Sequence, residues 1–490
     1  MKRLILIFVF IAAICVSLTA QPVEFDKYFH DKTMRIDYYH AGNSETEIVS
    51  IDQIYERSNW GRNKINLIDN FNNGRYYVKI IDSASGKLIF SKGFDSYFGE
   101  YQTSDYALNG KFRTFHETAI IPSPKNHFKF VFEKRNKNKT LESIFEAELN
   151  PEDVMIIRED IALDNIEVIQ SYNGNASERA VDIAILADGY TIEERDKFTS
   201  DVNYFTNVFF QYEPYASNKN KFNIYGVYSP SLDSGTDEPR AGIYQRTVLN
   251  STFNSMGSER YLLTEDNKAV RNLADAVPYD AIYIMVNHNR YGGGGIYNFF
   301  CTFTTGNQFR DYLFVHEFGH SFAGLADEYY TSSTSYNDFY PKGIEPVEAN
   351  ITALLDKENL KWNELLTSGI DLPSKWKKEE YDKMDLTWQK ERAELNNKIA
   401  ELKRNKAPRE KITEAEIIYA EKDKQHSDKV DKYLNASKYW NQVGAFEGAG
   451  YSSEGLYRPM LDCIMFSKGN KPFCKVCESA IQKVIDFYCE

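Results

Sequence analysis

The chain has 490 residues, 42% hydrophobic and 26% charged, which is too long for one ordinary core and too apolar for general disorder. With 58 Lys and Arg against 71 Asp and Glu the net charge is −13, which argues against a broad electrostatic grip on nucleic acid or anionic lipid. Two or three folded domains are expected.

Residues 1–20 carry Lys2 and Arg3, an apolar run from Leu4 to Val16, and small or polar residues ending at Ala20. This reads as a secretory signal peptide, because the run is short of the roughly 20 residues that cross a bilayer. Lipoprotein anchoring through Cys15 is the competing reading, weakened by the bulky Ile14 before it. No later run approaches spanning length, so the expected product is exported (secreted, cell-surface or periplasmic) without a membrane span. Export permits disulfides, and Cys301, Cys463, Cys474, Cys477 and Cys489 follow Cys15. Cys474-x-x-Cys477 has no matching second pair, so structural disulfides holding the C-terminus are expected.

Residues 21–163 show short alternating runs, such as Arg75 to Ile81 and Phe128 to Glu133, punctuated by Gly74, Gly86, Gly110 and Pro122-Ser123-Pro124. That pattern predicts an antiparallel β-sandwich with no catalytic residues of its own. From 164 to 490 strands alternate with helices. Val181 to Ala187 is continuously apolar, as a strand covered on both faces should be. Thr191 and Glu194 form a capping box before a helix whose buried stripe is Phe198, Val202, Phe205 and Phe209. Further strands are predicted at Phe222 to Tyr228 and Ala281 to Val286. The fold class is α+β and multidomain: a β-sandwich, then an α/β domain. Within the latter, residues 372–435 are read as a charged helical hairpin that projects from it. Residues 372–430 hold 15 Lys and Arg and 13 Asp and Glu, a solvated face, with Ala407-Pro408 as the break between helices. His426 falls in this stretch and reads as solvated.

The chemistry is concentrated in His316-Glu317-Phe318-Gly319-His320. Histidines at i and i+4 share one helix face and can both reach a single zinc ion at the ~2.1 Å of a Zn–N bond. Glu317 can then take a proton from an activated water and pass it to a leaving amine. A catalytic zinc needs three protein ligands and an open position. Gly324 ends the helix and turns the chain, which makes Asp327 the expected third ligand, with Glu328 as its competitor.

Four segments carry a family resemblance: HEFGHSFAGLADEYY (His316 to Tyr330), ADGYT (Ala187 to Thr191), SLDSGTDEP (Ser231 to Pro239) and YRPMLDCIM (Tyr457 to Met465). In these the chain resembles the IgA peptidase family of zinc metallopeptidases, within the zincin class. The resemblance implies a zincin-like catalytic domain over 164–490 and a secreted zinc endopeptidase acting on protein or peptide substrates. It also implies Zn2+ on His316 and His320, with Glu317 as general base. Some relatives cleave immunoglobulin A, a substrate the motif itself does not carry. One departure from metzincins is plain: glycine and the third ligand are each displaced by one, to Gly324 and Asp327. Met465 resembles the methionine turn beneath the zinc, and Tyr457 in the same segment is expected to donate its hydroxyl to the oxyanion.

The segment Ile296 to Thr304 is expected to be the edge strand that binds substrate by main-chain hydrogen bonds, with Gly292 to Gly295 as a flexible rim. His288 reads as a loop residue, and Asp188 and Asp280 as caps. Two other functions fit the same chain: an exported binding or adhesion protein with an inactive zincin domain, and a metalloamidase acting on cell-wall peptides.

Overall fold

A computed structural model describes residues 22–159, 165–331 and 340–490. The segment read as an export signal and the boundary placed at 163/164 lie outside the described residues. The chain is mixed α+β with several sheets.

Seven strands build the N-terminal part: β1 (Phe29–Gly42), β2 (Glu47–Ser58), β3 (Tyr76–Asp82), β4 (Leu88–Phe94), β5 (Arg113–Pro124), β6 (Phe128–Arg135) and β7 (Leu141–Leu149). They form two antiparallel sheets, β2-β1-β5 and β4-β3-β6-β7. Period-2 alternation sends Met34, Ile36 and Tyr38 from one sheet, and Val78, Ile80, Phe130 and Phe132 from the other, into a shared core. Two antiparallel sheets thus enclose one core. Several buried polar groups interrupt its apolar character, among them Arg35, Asp37, His40 and Glu117. His40 is fully buried, with Nδ1 2.9 Å from Glu117 Oε2 and Nε2 2.8 Å from Glu47 Oε1.

The second part is organised by a six-stranded sheet of β8 (Glu167–Asn173), β9 (Val181–Asp188), β10 (Phe222–Tyr228), β11 (Ala281–Val286), β12 (Gly293–Ile296) and β13 (Phe300–Thr304). Its order is β12-β13-β11-β9-β10-β8. The four inner strands are parallel and the two outer ones antiparallel to them. Every residue of β9 is buried because helices cover both faces. Ile183 and Ile185 meet the helices Arg195–Phe209 and Arg310–Ala323 on one face. Ala184 and Leu186 on the other meet the helix Asn267–Ala274, together with Tyr97 and Phe98 of the N-terminal part.

Three expectations change here. The outer edge is β12, the glycine run itself, while β13 is paired on both sides. The hairpin of Lys378–Arg404 and Arg409–Asn435 does not project. Its tip folds back onto the domain, where Lys403 Nζ lies 3.0 Å from Glu238 Oε1 and Arg404 donates to the carbonyl of Arg240. The long apolar stems of such residues pack as their charged ends find partners. His426 is accordingly not solvated: it stacks on Trp388 and its Nε2 lies 2.7 Å from Asp385 Oδ1. Beyond the hairpin, the ribbon β14 (Phe446–Ala449) and β15 (Ser452–Arg458) leads to the C-terminal helix Lys475–Cys489, which packs on the Arg310–Ala323 helix.

Candidate metal centre and active site

The Arg310–Ala323 helix is buried along nearly its whole length, with Phe314 and Phe318 stacked on Tyr283 of β11. This packing fixes its rotation and turns His316, Glu317 and His320 toward a cleft. The helix stops at Gly324, whose left-handed φ of 58° favours glycine. The chain then doubles back, and Asp327 comes to lie beside both histidines. His316 Nε2 is 3.2 Å from His320 Nε2, and Asp327 Oδ1 is 3.2 Å and 3.1 Å from the two nitrogens.

The tautomers follow from the other side of each ring. His316 Nδ1 donates to the carbonyl of Ile464 at 3.0 Å, and His320 Nδ1 donates to the carbonyl of Leu325 at 2.6 Å. Both Nε2 atoms are therefore left as acceptors, converging with a carboxylate oxygen that has no hydrogen-bond partner. Three acceptors about 3.2 Å apart are the edges of a tetrahedron around one cation at ~2.0 Å, so this donor set fits zinc. Without a cation, burial opposes charging His320 but Asp327 raises its pKa to about 9. Burial likewise opposes ionising Asp327, yet His320 and His316 hold its carboxyl well below the usual range. Glu317 sits within 4.8 Å of both imidazole ligand atoms. Burial pushes its carboxyl up, and the two histidines only partly offset this.

Asp327 is held in turn. Tyr451 donates its hydroxyl to Oδ2, and Gly450 N–H donates to the Asp327 carbonyl at 3.0 Å. Glu328 faces the other way, with Oε1 3.3 Å from Cys477 Sγ and 3.1 Å from the Asn350 amide. Met465 lies in a turn directly beneath the helix: a Cβ on Gly319 would stand 2.9 Å from its sulfur. The same turn supplies the Ile464 carbonyl to His316.

Tyr457 is not brought to the cleft. It pairs through its backbone with Thr352, and its side chain lies by Glu447. Among the hydroxyls that do line the cleft are those of Tyr329 and Tyr451, and Arg260 donates to Tyr329 Oη at 2.8 Å. The cleft encloses about 1010 Å³ out to its mouth, and Asp95 and Glu100 of the N-terminal part share its lining. Its floor is β12, pressed so closely on the helix that a Cβ on Gly295 would stand 2.4 Å from the Glu317 carbonyl oxygen. On the far side of β12, Leu262 N–H donates to the Gly293 carbonyl at 3.2 Å. His288 stays outside this group, against Glu238. Asp188 is buried away from the cleft, accepting from Leu249 and Ser251. Asp280 accepts from the Asp182 N–H as a strand-end cap.

None of Arg260, Tyr329 and Tyr451 has a signal in spacing. Tyr329 alone sits within the motif segment, and Tyr451 reaches the site from beyond the inserted hairpin.

Residues 167–485 match the family model described as IgA Peptidase M64, and residues 24–146 match that described as Peptidase M64 N-terminus. Among curated proteins no match is found. No helix among the described residues is long and apolar enough to cross a membrane. Together the two matches span most of the chain, and it belongs to the IgA peptidase M64 family.

Proposed function

We propose that this member of the M64 family is a zinc-dependent endopeptidase, exported through residues 1–20, that hydrolyses peptide bonds of protein substrates. The single observation that carries the reading is the triangle of His316 Nε2, His320 Nε2 and Asp327 Oδ1, with both Nδ1 atoms committed to backbone carbonyls. His316, His320 and Asp327 would hold the metal. When bound, zinc supplies Lewis acidity, polarising a carbonyl and acidifying water.

The rest is done by side chains of the chain. Glu317, beside the two imidazoles, takes the proton from the attacking water and delivers it to the leaving amine. Its burial raises its proton affinity, which suits a group that must both accept and release. Arg260 and Tyr329 place a cation and a hydroxyl in the cleft, where negative charge develops on the substrate carbonyl, and take the oxyanion role expected of Tyr457. Tyr451 fixes the rotamer of Asp327 so that Oδ1 stays aimed at the histidines.

The reading is tested by profiling cleavage of a mixed peptide library. Internal bonds should be cut, a chelator should stop cleavage, and added zinc should restore it. A zinc-loaded protein that cuts no peptide would overturn it in favour of the binding-protein alternative.

A further inference from the structure

A second cluster of ligand-type side chains lies behind the histidine site. Cys463, Cys474, Cys477 and Glu328 are all buried, at 1%, 3%, 0% and 0% exposure. Their ligand atoms all fall within 4.8 Å of one another. Sγ of Cys463 is 3.9 Å from Sγ of Cys477, and Glu328 Oε1 is 3.8 Å from Cys474 Sγ and 3.3 Å from Cys477 Sγ.

These distances do not describe a disulfide, whose sulfurs stand about 2.05 Å apart, and the expected C-terminal disulfides are not formed. They do match the edges of a tetrahedron. Thiolates bound to zinc at ~2.3 Å lie about 3.8 Å apart, and a thiolate and carboxylate oxygen about 3.5 Å apart.

The backbone around the sulfurs has the same character. Cys463 Sγ accepts from Met465 N–H at 3.4 Å and from Cys474 N–H at 3.1 Å. Cys474 caps the Lys475–Cys489 helix, its sulfur accepting from Cys477 N–H at 3.4 Å. N–H groups aimed at sulfur stabilise thiolates, and the helix N-terminus adds its positive end. Glu328 is the second, independent sign. Its Oε2 is buried and has no hydrogen-bond partner. A buried carboxylate in that condition is costly unless a cation reaches it. Joining two of the cysteines would leave the third thiol and this carboxylate unsatisfied, whereas one divalent ion satisfies all four groups.

We propose that Cys463, Cys474, Cys477 and Glu328 form a closed structural zinc site, separate from the histidine site and coupled to it through the chain. Four protein ligands leave no open position, so the site has no hydrolytic role. Its place in the fold gives it a bracing one. Glu328 follows Asp327 directly. Cys463 begins the turn that carries Ile464 to His316 and Met465 to Gly319. Cys474 and Cys477 start the helix that packs on the motif helix. One ion therefore ties together three segments, the one at Glu328 lying far from the other two in sequence, each bordering a group of the cleft.

The test uses the full chain. Metal analysis should find about two zinc ions per wild-type chain and about one in the His316→Ala/His320→Ala variant, since the thiolate site does not depend on the histidines. Cobalt-substituted protein of that same variant should show the near-ultraviolet charge-transfer absorption of cobalt thiolates, which a histidine and carboxylate site cannot give. Peptide mapping without reduction should find Cys463, Cys474 and Cys477 as separate thiols after denaturation. A folded double-histidine variant that holds no metal, or a disulfide joining any two of the three cysteines, would overturn the proposal. Because both arms leave the cysteines intact, misfolding of cysteine variants does not enter. A chain carrying only the thiolate-bound ion would instead contradict the proposed histidine site, so the two failures are distinguishable.

Discussion

The close approach of β12 to the motif helix makes Gly295→Ala an informative perturbation. The added Cβ would stand 2.4 Å from the carbonyl oxygen of Glu317 and 2.9 Å from Cβ of His320, against ordinary contacts beginning near 3.4 Å. Neither neighbour is the flexible end of a side chain. Relief requires the strand to move about 1 Å away from the helix. Overpacking of this kind costs about 1–3 kcal/mol. The displaced strand is the cleft floor beside Glu317, and a 1 Å misplacement of substrate is worth about 10²-fold in rate. The assay is urea unfolding together with kcat/KM on a cleaved library peptide. The expected result is a lowered unfolding midpoint and a loss of roughly two orders of magnitude in kcat/KM with zinc content unchanged. Wild-type midpoint and wild-type kcat/KM in Gly295→Ala would refute the reasoning that glycine is there for close packing.

Other consequences are sharper on single groups. Tyr451→Phe removes the donor to Asp327 Oδ2 and should weaken zinc affinity about 10- to 100-fold in a chelator competition, an unchanged affinity contradicting the positioning role. Tyr329→Phe should lower kcat by about 10²-fold with little change in KM, whereas equal kcat would remove its oxyanion role. In the N-terminal sandwich, burial opposes ionising Glu47, but His40 and Lys134 lower its pKa from 4.5 to about 2. A pKa lower in the folded than in the unfolded state gives stability that is fully present above about 4.5 and lost as pH falls toward about 2, roughly 3 kcal/mol in all. The stability gap between wild type and Glu47→Gln in denaturant titrations should therefore narrow between pH 5 and pH 3, and a gap that stays constant would contradict the assignment.

How much of this was legible in the sequence depends on how local each signal is. His316, Glu317 and His320 share one helical turn, and Gly324 and Asp327 follow within seven residues of His320, so spacing alone brings them into one neighbourhood. The sandwich strands and β9 were legible because burial imposes period 2 on the first and a continuous apolar run on the second. The edge strand was misplaced because four glycines read as a loop by strand propensity, whereas here the missing side chains are what let β12 lie on the helix. Tyr451, Asn350 and the cysteine cluster act across separations of 124, 22 and up to 149 residues. No local period reports contacts at that range. The charge balance of the hairpin correctly indicated exposed faces, but it could not indicate that Lys403 and Arg404 fold the tip back onto Glu238 and Arg240.

The most direct test of the central claim is Glu317→Gln, which keeps the shape of the side chain and removes its ability to take a proton. Its zinc content and thermal midpoint should match wild type, while cleavage of the library falls by about 10²- to 10⁴-fold, the usual worth of a general base. A Glu317→Gln protein that holds its zinc and cleaves at the wild-type rate would contradict the account.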